Sequence, residues 1–210
     1  MVPSFEGKED KDQVEIILVL PKNAGLKEYT QIFLERYPEL KDHKVIEVRG
    51  EDVPFWIGQL TIKGKRALGL TGEDLYNEYK IANPEEDIIE VLDKIEWMDP
   101  KALFMKPALC LIGPEGKTID DLPKEMTICS SKKYRSIVRK YLERYRDNGY
   151  TIDEIYVNGS VETSCSEGIS DVAIDIVYSG KSMKECGLCI YDIIFKSDCV
   201  VLGGKSNDRT

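Results

Sequence analysis

Three observations predict an α/β fold with largely parallel sheets. Short apolar runs of strand length alternate with amphipathic helical stretches along nearly the whole chain. Tyr134, Ile137, Val138, Tyr141, Leu142 and Tyr145 recur at helical spacing and define a firm amphipathic helix that closes near Gly149. An apolar strand from residue 172 ends in a carboxylate, Asp175, and leads into Ser179, Gly180, Lys181 and Ser182, a turn at which a helix is about to start.

Residues 14–20 are a buried strand by length and branching, followed by a loop at residues 21–25. Leu26, Tyr29, Thr30, Phe33, Leu34 and Tyr37 then mark a helix that Pro38 stops. Residues 44–48 are a second strand. Asp52, with Pro54 two places on, is an N-cap followed by a first-turn proline. Residues 66–71 are a short strand entering another helix at residues 72–76. Residues 85–97 fit helix or strand, and periodicity does not separate the two. Residues 108–112 are a strand with a turn at 113–116, residues 126–129 are a short strand, and residues 151–157 another. Residues 190–195 are read as the last strand, and no internal repeat is visible.

The chain has 210 residues, enough for one large domain or two small lobes. Its formal charge of −9 argues against a dedicated nucleic-acid binder but leaves room for a local anion site. Residues 1–13 are charged, without an apolar core or periodicity, and read as a flexible tail rather than a secretory signal. No apolar run approaches membrane-spanning length, so a soluble, cytoplasmic protein is expected. The six cysteines sit mostly in apolar runs and read as small buried hydrophobes. Cys186 and Cys189 form a lone C-x-x-C, with the single histidine, His43, far away, so zinc or redox use is weakly signalled.

The chemistry concentrates in residues 158–182. The turn at Ser179, Gly180, Lys181 and Ser182 exposes backbone N–H groups and two hydroxyls at a helix start, an anion cradle. Asp175, just ahead of it, is a carboxylate placed to accept hydrogen bonds from vicinal sugar hydroxyls. Carboxylate and cradle together fit a ribose 5-phosphate. Asp175 as an ordinary capping carboxylate, and the turn as a plain strand-to-helix connection, are the competing readings. Asp171 lies about 13 Å away at strand rise and cannot share the same diol, so a structural role or a remote contact is favoured. Glu162 reads as a helix-start carboxylate or as a ligand of substrate or Mg2+. Lys22, at a strand end, reads as a phosphate contact or a solvated lysine. His43 reads as a solvent-facing loop residue.

These residues resemble ATP phosphoribosyltransferase, the family opening histidine biosynthesis, in its short form. Residues 158–162, 168–171, 175–182 and 187–188 are similar to its phosphoribosyl-pyrophosphate signature, residues 49–54 and 68–75 to its first-lobe motifs, and Leu20, Pro21 and Lys22 to the start of its first loop. The resemblance spans roughly residues 14–203. It implies two lobes of the type II periplasmic-binding-protein kind, hinged around a cleft, with mainly parallel sheets. Residues 14–104 plus 189–210 would form lobe I and residues 105–188 lobe II, with no C-terminal regulatory domain.

The implied reaction is phosphoribosyl transfer from phosphoribosyl pyrophosphate to N1 of ATP, giving phosphoribosyl-ATP and pyrophosphate. No catalytic nucleophile or base is implied, because adenine N1 attacks. Glu162, Asp175, Ser179, Gly180, Lys181 and Ser182 would bind phosphoribosyl pyrophosphate, Lys22 and Lys133 would meet ATP or pyrophosphate, and Mg2+ would assist, its ligands unassigned. An oligomer, homo- or hetero-, with a regulatory subunit resembling histidyl-tRNA synthetase is also implied, with neither nucleic acid nor membrane as a partner.

The chain departs from the family at four places. The usual Lys-Gly-Arg after the first strand is Lys22, Asn23, Ala24, Gly25, Leu26, one residue longer and without the arginine. Ala108 replaces a second arginine, Thr163 and Ser164 replace Ala-Pro, and Ser182 replaces threonine. A diverged, non-catalytic nucleotide- or phosphosugar-binding protein of the same fold is the alternative these departures leave open.

Overall fold

The computed structural model describes residues 15–205; the tail expected at residues 1–13 lies outside them. The chain divides into two compact units. Unit 1 takes the described parts of Met1–Glu96 and Asp198–Thr210, and unit 2 is Trp97–Ser197.

Unit 1 is built from strands β1 (Ile16–Pro21), β2 (Lys44–Val48), β3 (Arg66–Gly72) and β4 (Ile89–Ile95), with helices α1 (Lys27–Arg36), α2 (Val53–Ile62) and α3 (Glu73–Ala82) between them. Unit 2 follows with β5 (Ala108–Pro114), β6 (Glu125–Ser131), α4 (Arg135–Asp147), β7 (Thr151–Val157), α5 (Val161–Ser166), β8 (Val172–Val177), α6 (Lys181–Glu185) and β9 (Leu188–Lys196). The chain then returns to unit 1 as β10 (Cys199–Gly204). Each unit has one five-stranded sheet, in the orders β2-β1-β3-β10-β4 and β7-β6-β8-β5-β9.

The mainly parallel expectation holds for half of each sheet. β1 pairs parallel with β2 and β3, and β6 with β7 and β8. β10 runs antiparallel to β3 and β4, and β5 antiparallel to β8 and β9. The reason is where the crossing segments enter. β5 begins with Ala108 beside Val177, the last residue of β8, and β10 begins with Cys199 beside Gly72, the last residue of β3. A strand that starts where its neighbour ends must run the other way.

The expected lobe boundaries also move. The strand read at residues 190–195 is not the chain's last and does not join the first lobe; as β9 it pairs with β5 in unit 2. Residues 97–104 go with unit 2 as well. β10 went unread as a strand, although Cys199, Val200, Val201 and Leu202 are almost wholly buried between β3 and β4. The ambiguous stretch before Trp97 is β4, an edge strand whose burial alternates weakly. Asp52 does not cap α2 with its side chain; it closes a 3-10 turn, Gly50–Asp52, that leads into the helix.

In unit 1, Leu18, Val19, Phe33, Leu40, Val53 and Ile57 are fully buried, and Val19, Val53 and Ile57 share one apolar cluster. Each such side chain contributes about 1.5–3 kcal/mol of burial. Gly69 lets β1, β3 and α2 approach, since a Cβ there would stand 2.6 Å from the Val19 carbonyl oxygen. In unit 2, Cys110, Ile112, Cys129, Val161, Cys165, Ala173, Val177 and Met183 form one apolar cluster. It seats α5 and α6 on the same face of the sheet. Cys186 packs against this cluster, and Cys110, Cys129, Cys165 and Cys199 are buried. Among the described residues no helix is long and apolar enough to cross a membrane.

Candidate functional site

The parallel strands β6, β7 and β8 end at Ser131, Val157 and Val177 and each leads through a short loop into a helix or helical turn. These carboxyl ends are where open α/β sheets bind ligands. Two of the three helical entries are left-handed. Ser160, before α5, has φ 55°, and Gly180, before α6, has φ 73°. Gly180 adopts that conformation without a Cβ penalty; Ser160 holds it against one of about 1–2 kcal/mol. Successive N–H groups at such an entry form an anion-binding concavity, and the first-turn N–H groups of α6 have no intrahelical acceptor.

Of the predicted residues, Glu162, Asp175, Ser179, Gly180, Lys181, Ser182 and Lys133 all lie in unit 2. Ser182 Oγ donates to Glu162 Oε1 at 2.8 Å, tying the first turn of α6 to that of α5. Ser179 Oγ accepts from the Lys181 N–H at 3.3 Å. Lys181 Nζ lies 3.7 Å from Glu185 Oε1 and is largely exposed, so its charge runs along α6 rather than over the loop. Asp175 sits within β8 and, by strand alternation, shares the face of Ala173 and Val177 under α5 and α6.

Burial pushes the Asp175 carboxyl up to about 6, and the Glu162 carboxylate adds to the rise. The Ile176 N–H, 2.9 Å from Oδ1, and the Lys133 ammonium act the other way. Asp175 therefore feels the charges of both Glu162 and Lys133. Asp171, by contrast, is structural. Its Oδ2 accepts from the Thr127 N–H at 2.7 Å and its own N–H donates to the Thr127 carbonyl, fastening the start of β8 to β6.

Lys22 lies in unit 1, exposed, at the end of β1, its N–H bonded to the Val48 carbonyl at 2.8 Å. Beside it, Asn23 Oδ1 accepts from the Gly50 N–H at 2.8 Å, and Thr71 Oγ1 donates to the Gly50 carbonyl at 2.7 Å. The loops after β1 and β2 and the end of β3 are thus pinned together. Glu51 Oε2, in the second of them, is buried without a hydrogen-bond partner among the described residues.

The departures have visible local roles. Asn23, in the altered first loop, is the pin just described. Ala108 is fully buried in the unit 2 cluster, where an arginine would meet apolar side chains. Ser164 Oγ bonds both the Val161 carbonyl and Ser170 Oγ at 2.7 Å, closing α5 onto the following turn. Sequence reasoning did not single out Ser160, for which the preceding Asn158–Gly159 turn pair was the available signal. It also missed Tyr178 and Asp99, whose side chains meet beside the loop; nothing in their local sequence announces that.

Comparison with known proteins bears on the family and the fold. A family model described as ATP phosphoribosyltransferase matches residues 49–210. The ATP phosphoribosyltransferase of Thermoanaerobacter sp. strain X514 is 28% identical over 197 residues, covering 92% of this chain and 82% of that protein. The Metallosphaera sedula enzyme of the same name is 30% identical over 166 residues, covering 78% of this chain and 50% of that one. Among solved structures, the ATP phosphoribosyl transferase (HisG:HisZ) complex from Thermotoga maritima superposes with a TM-score of 0.66 at 25% identity, covering 89% of this chain and 86% of that chain. The periplasmic aliphatic sulphonate binding protein of Escherichia coli, at 18% identity over 89% of this chain and 63% of that one and a TM-score of 0.52, shares the fold. With two α/β units of the type II periplasmic-binding-protein kind and a family match over most of its length, the chain belongs to the ATP phosphoribosyltransferase family, enzymes of the glycosyltransferase kind.

Proposed function

We propose that the protein transfers the phosphoribosyl group of phosphoribosyl pyrophosphate to N1 of ATP, releasing pyrophosphate. The observation that carries this reading is the convergence of Asp175, Glu162 and the Gly180 entry at the strand ends of unit 2. Asp175 would accept the ribose hydroxyls, and the N–H groups and hydroxyls of residues 179–182 would hold the 5-phosphate. An oxocarbenium-like transition state at the anomeric carbon needs no enzyme nucleophile when adenine N1 attacks. The protein's contribution is then to position both substrates and stabilise the departing diphosphate, with Lys133 as the candidate cation in unit 2 and Lys22 as a candidate contact for ATP in unit 1.

Among the described residues no group of three or more metal-ligating side chains forms a metal site. The Glu162–Asp175 carboxylate pair suits Mg2+ that arrives on the diphosphate as part of the substrate complex and keeps most of its waters. Such an ion would neutralise charge on the leaving group.

The Thermotoga structure is titled as a HisG:HisZ complex. By analogy we assign this chain the catalytic part and infer a separate regulatory subunit, which acts by binding the closed and open states differently. The expectation is low phosphoribosyltransferase activity for the isolated chain, insensitive to histidine, raised and made histidine-sensitive by the partner. The buried Ala108 keeps a second reading in play, a binding protein without turnover. Pyrophosphate release in the presence of both substrates decides between them. Binding of both without release, with and without the partner subunit, would favour the binding protein.

A further inference from the structure

We propose that Asp99 and Tyr178 form a clasp that positions the loop at residues 179–182, setting its affinity for the phosphoribosyl phosphate; this rests on the function proposed above. Asp99 lies in the segment that leaves β4 and enters β5, more than seventy residues before the loop in sequence, at a separation of 79 from Tyr178.

That segment is folded on itself. The Ala102 N–H donates to the Asp99 carbonyl at 3.0 Å, the Met105 N–H to the Ala102 carbonyl at 3.0 Å, and the Asp99 N–H to the Met105 carbonyl at 2.8 Å. Met105 closes the turn with φ 64°. Both carboxylate oxygens of Asp99 are committed: Oδ1 accepts from the Lys101 N–H at 2.8 Å and Oδ2 from the Tyr178 hydroxyl. These bonds, the tyrosine's first, hold the Asp99 carboxyl below the usual range, so it is ionised at neutral pH and acts as acceptor.

Tyr178 is the residue immediately before Ser179, and the segment grips it on three sides. Its hydroxyl is on Asp99, its carbonyl accepts from the Leu103 N–H at 2.7 Å, and its ring meets Trp97 edge-on with centroids 6.2 Å apart. Leu103 also flanks the loop itself, since a Cβ at Gly180 would stand 3.6 Å from its Cδ2. α6 has five residues and is too short to fix the loop by its own stability. The loop's position is therefore set by what holds the residue before it together with the Ser182–Glu162 bond, and small misplacements of a binding group are costly. Tyr178 and Asp99 act through Ser179 and its neighbours and are positioning residues.

Calorimetric titration of phosphoribosyl pyrophosphate with Mg2+, and separately of ATP, into wild type, Tyr178→Phe, Asp99→Ala, Asp99→Asn and the Tyr178→Phe/Asp99→Ala double variant tests the clasp. Each of Tyr178→Phe and Asp99→Ala should weaken phosphoribosyl pyrophosphate by about tenfold, with ATP affinity unchanged. The double variant should be no weaker than the weaker single, because both remove one shared bond. Asp99→Asn, which keeps an acceptor oxygen, should fall between wild type and Asp99→Ala, and it carries the test if Tyr178→Phe does not fold. With Trp56→Phe removing the other of the two tryptophans, Trp97 emission should change on titration and lose that response in Tyr178→Phe. Folded variants that bind within about twofold of wild type, additive losses, or equal losses for both ligands would overturn the clasp. Absence of binding by wild type would instead remove the loop's proposed ligand, and the clasp's role with it.

Discussion

The two units are built on one plan and differ in what they do with it. In sequence, β1-α1-β2-α2-β3-α3-β4 corresponds to β6-α4-β7-α5-β8-α6-β9, and β10 occupies in the first sheet the place β5 takes in the second. The loop before α3 is thus the counterpart of the loop before α6. Gly72 enters α3 in an extended conformation, φ −69°, while Gly180 enters α6 left-handed, φ 73°. The first turn of α3 carries Glu73 and Asp74, whereas that of α6 carries no acid. Lys94 bridges Glu73 at 2.8 Å and Asp198 at 3.1 Å, so unit 1 answers its helix dipole with its own carboxylates. In unit 2 the first turn of α6 has no acid of its own, its Ser182 hydroxyl meeting Glu162 of α5 instead, and under the function proposed above this is the position that would take the phosphate. The frame is shared, and the two units differ in loop conformation and first-turn charge.

The sharpest way to break that contrast is to give α6 the first turn of α3. Lys181→Glu with Ser182→Asp should weaken phosphoribosyl pyrophosphate by about a hundredfold or more, because it replaces a positive charge and a hydroxyl in the first turn of α6 with two negative charges. Calorimetric titration with Mg2+ checks it; retained affinity would mean the phosphate sits elsewhere.

Asp175→Asn comes next. The amide loses charge-assisted bonds to the sugar hydroxyls, a cost on the order of 1.5–3 kcal/mol in binding. Unchanged affinity in the folded variant would remove Asp175 from the site.

The same substitution should move stability the other way. The folded carboxyl titrates at about 6, above its ordinary 3.8, so the folded chain holds the proton more tightly than the unfolded chain. Stability linked to that proton is complete below about 3.8 and lost as pH rises through about 6. Above that window the folded charge costs on the order of 2–3 kcal/mol. Asp175→Asn should therefore melt higher than wild type at neutral pH, the gain shrinking as pH falls below 6. A pH-independent difference in melting temperature would show that burial of the charge is not its cause.

Ser160→Gly is the smallest perturbation. Relief of the left-handed serine should stabilise unit 2 by up to about 1 kcal/mol in denaturant unfolding, with ligand affinity retained. Lost affinity would mean that the Ser160 hydroxyl, and not only its backbone, serves the site.

Much of this frame was legible in the sequence. Residues 14–20, 44–48 and 151–157 read as strands because their apolar or branched runs have strand length, and β2 and β7 match residue for residue. β4 was ambiguous because an edge strand buries too little to alternate cleanly. β10 escaped because a short apolar run after a polar turn looks like a terminus, although its partners β3 and β4 bury it. The shared plan of the two units was invisible, since strand order is a property of pairing rather than of residues.

At the site, residues 175–182 announced themselves through local chemistry. The Glu162–Ser182 bond, across 20 positions, and the Asp99–Tyr178 bond, across 79, did not, because side chains from separate elements meet only once the sheet has formed. The charge of Lys133 acts on Asp175 from another element in the same way.

Amide hydrogen exchange with and without phosphoribosyl pyrophosphate and Mg2+ tests the central claim most directly, because it reads every helix entry of both units at once. The account predicts new protection concentrated at residues 161–163 and 180–183, with the α3 entry at residues 73–75 unchanged. Protection confined to the unit 1 loops, with residues 180–183 exchanging as freely as before, would contradict it.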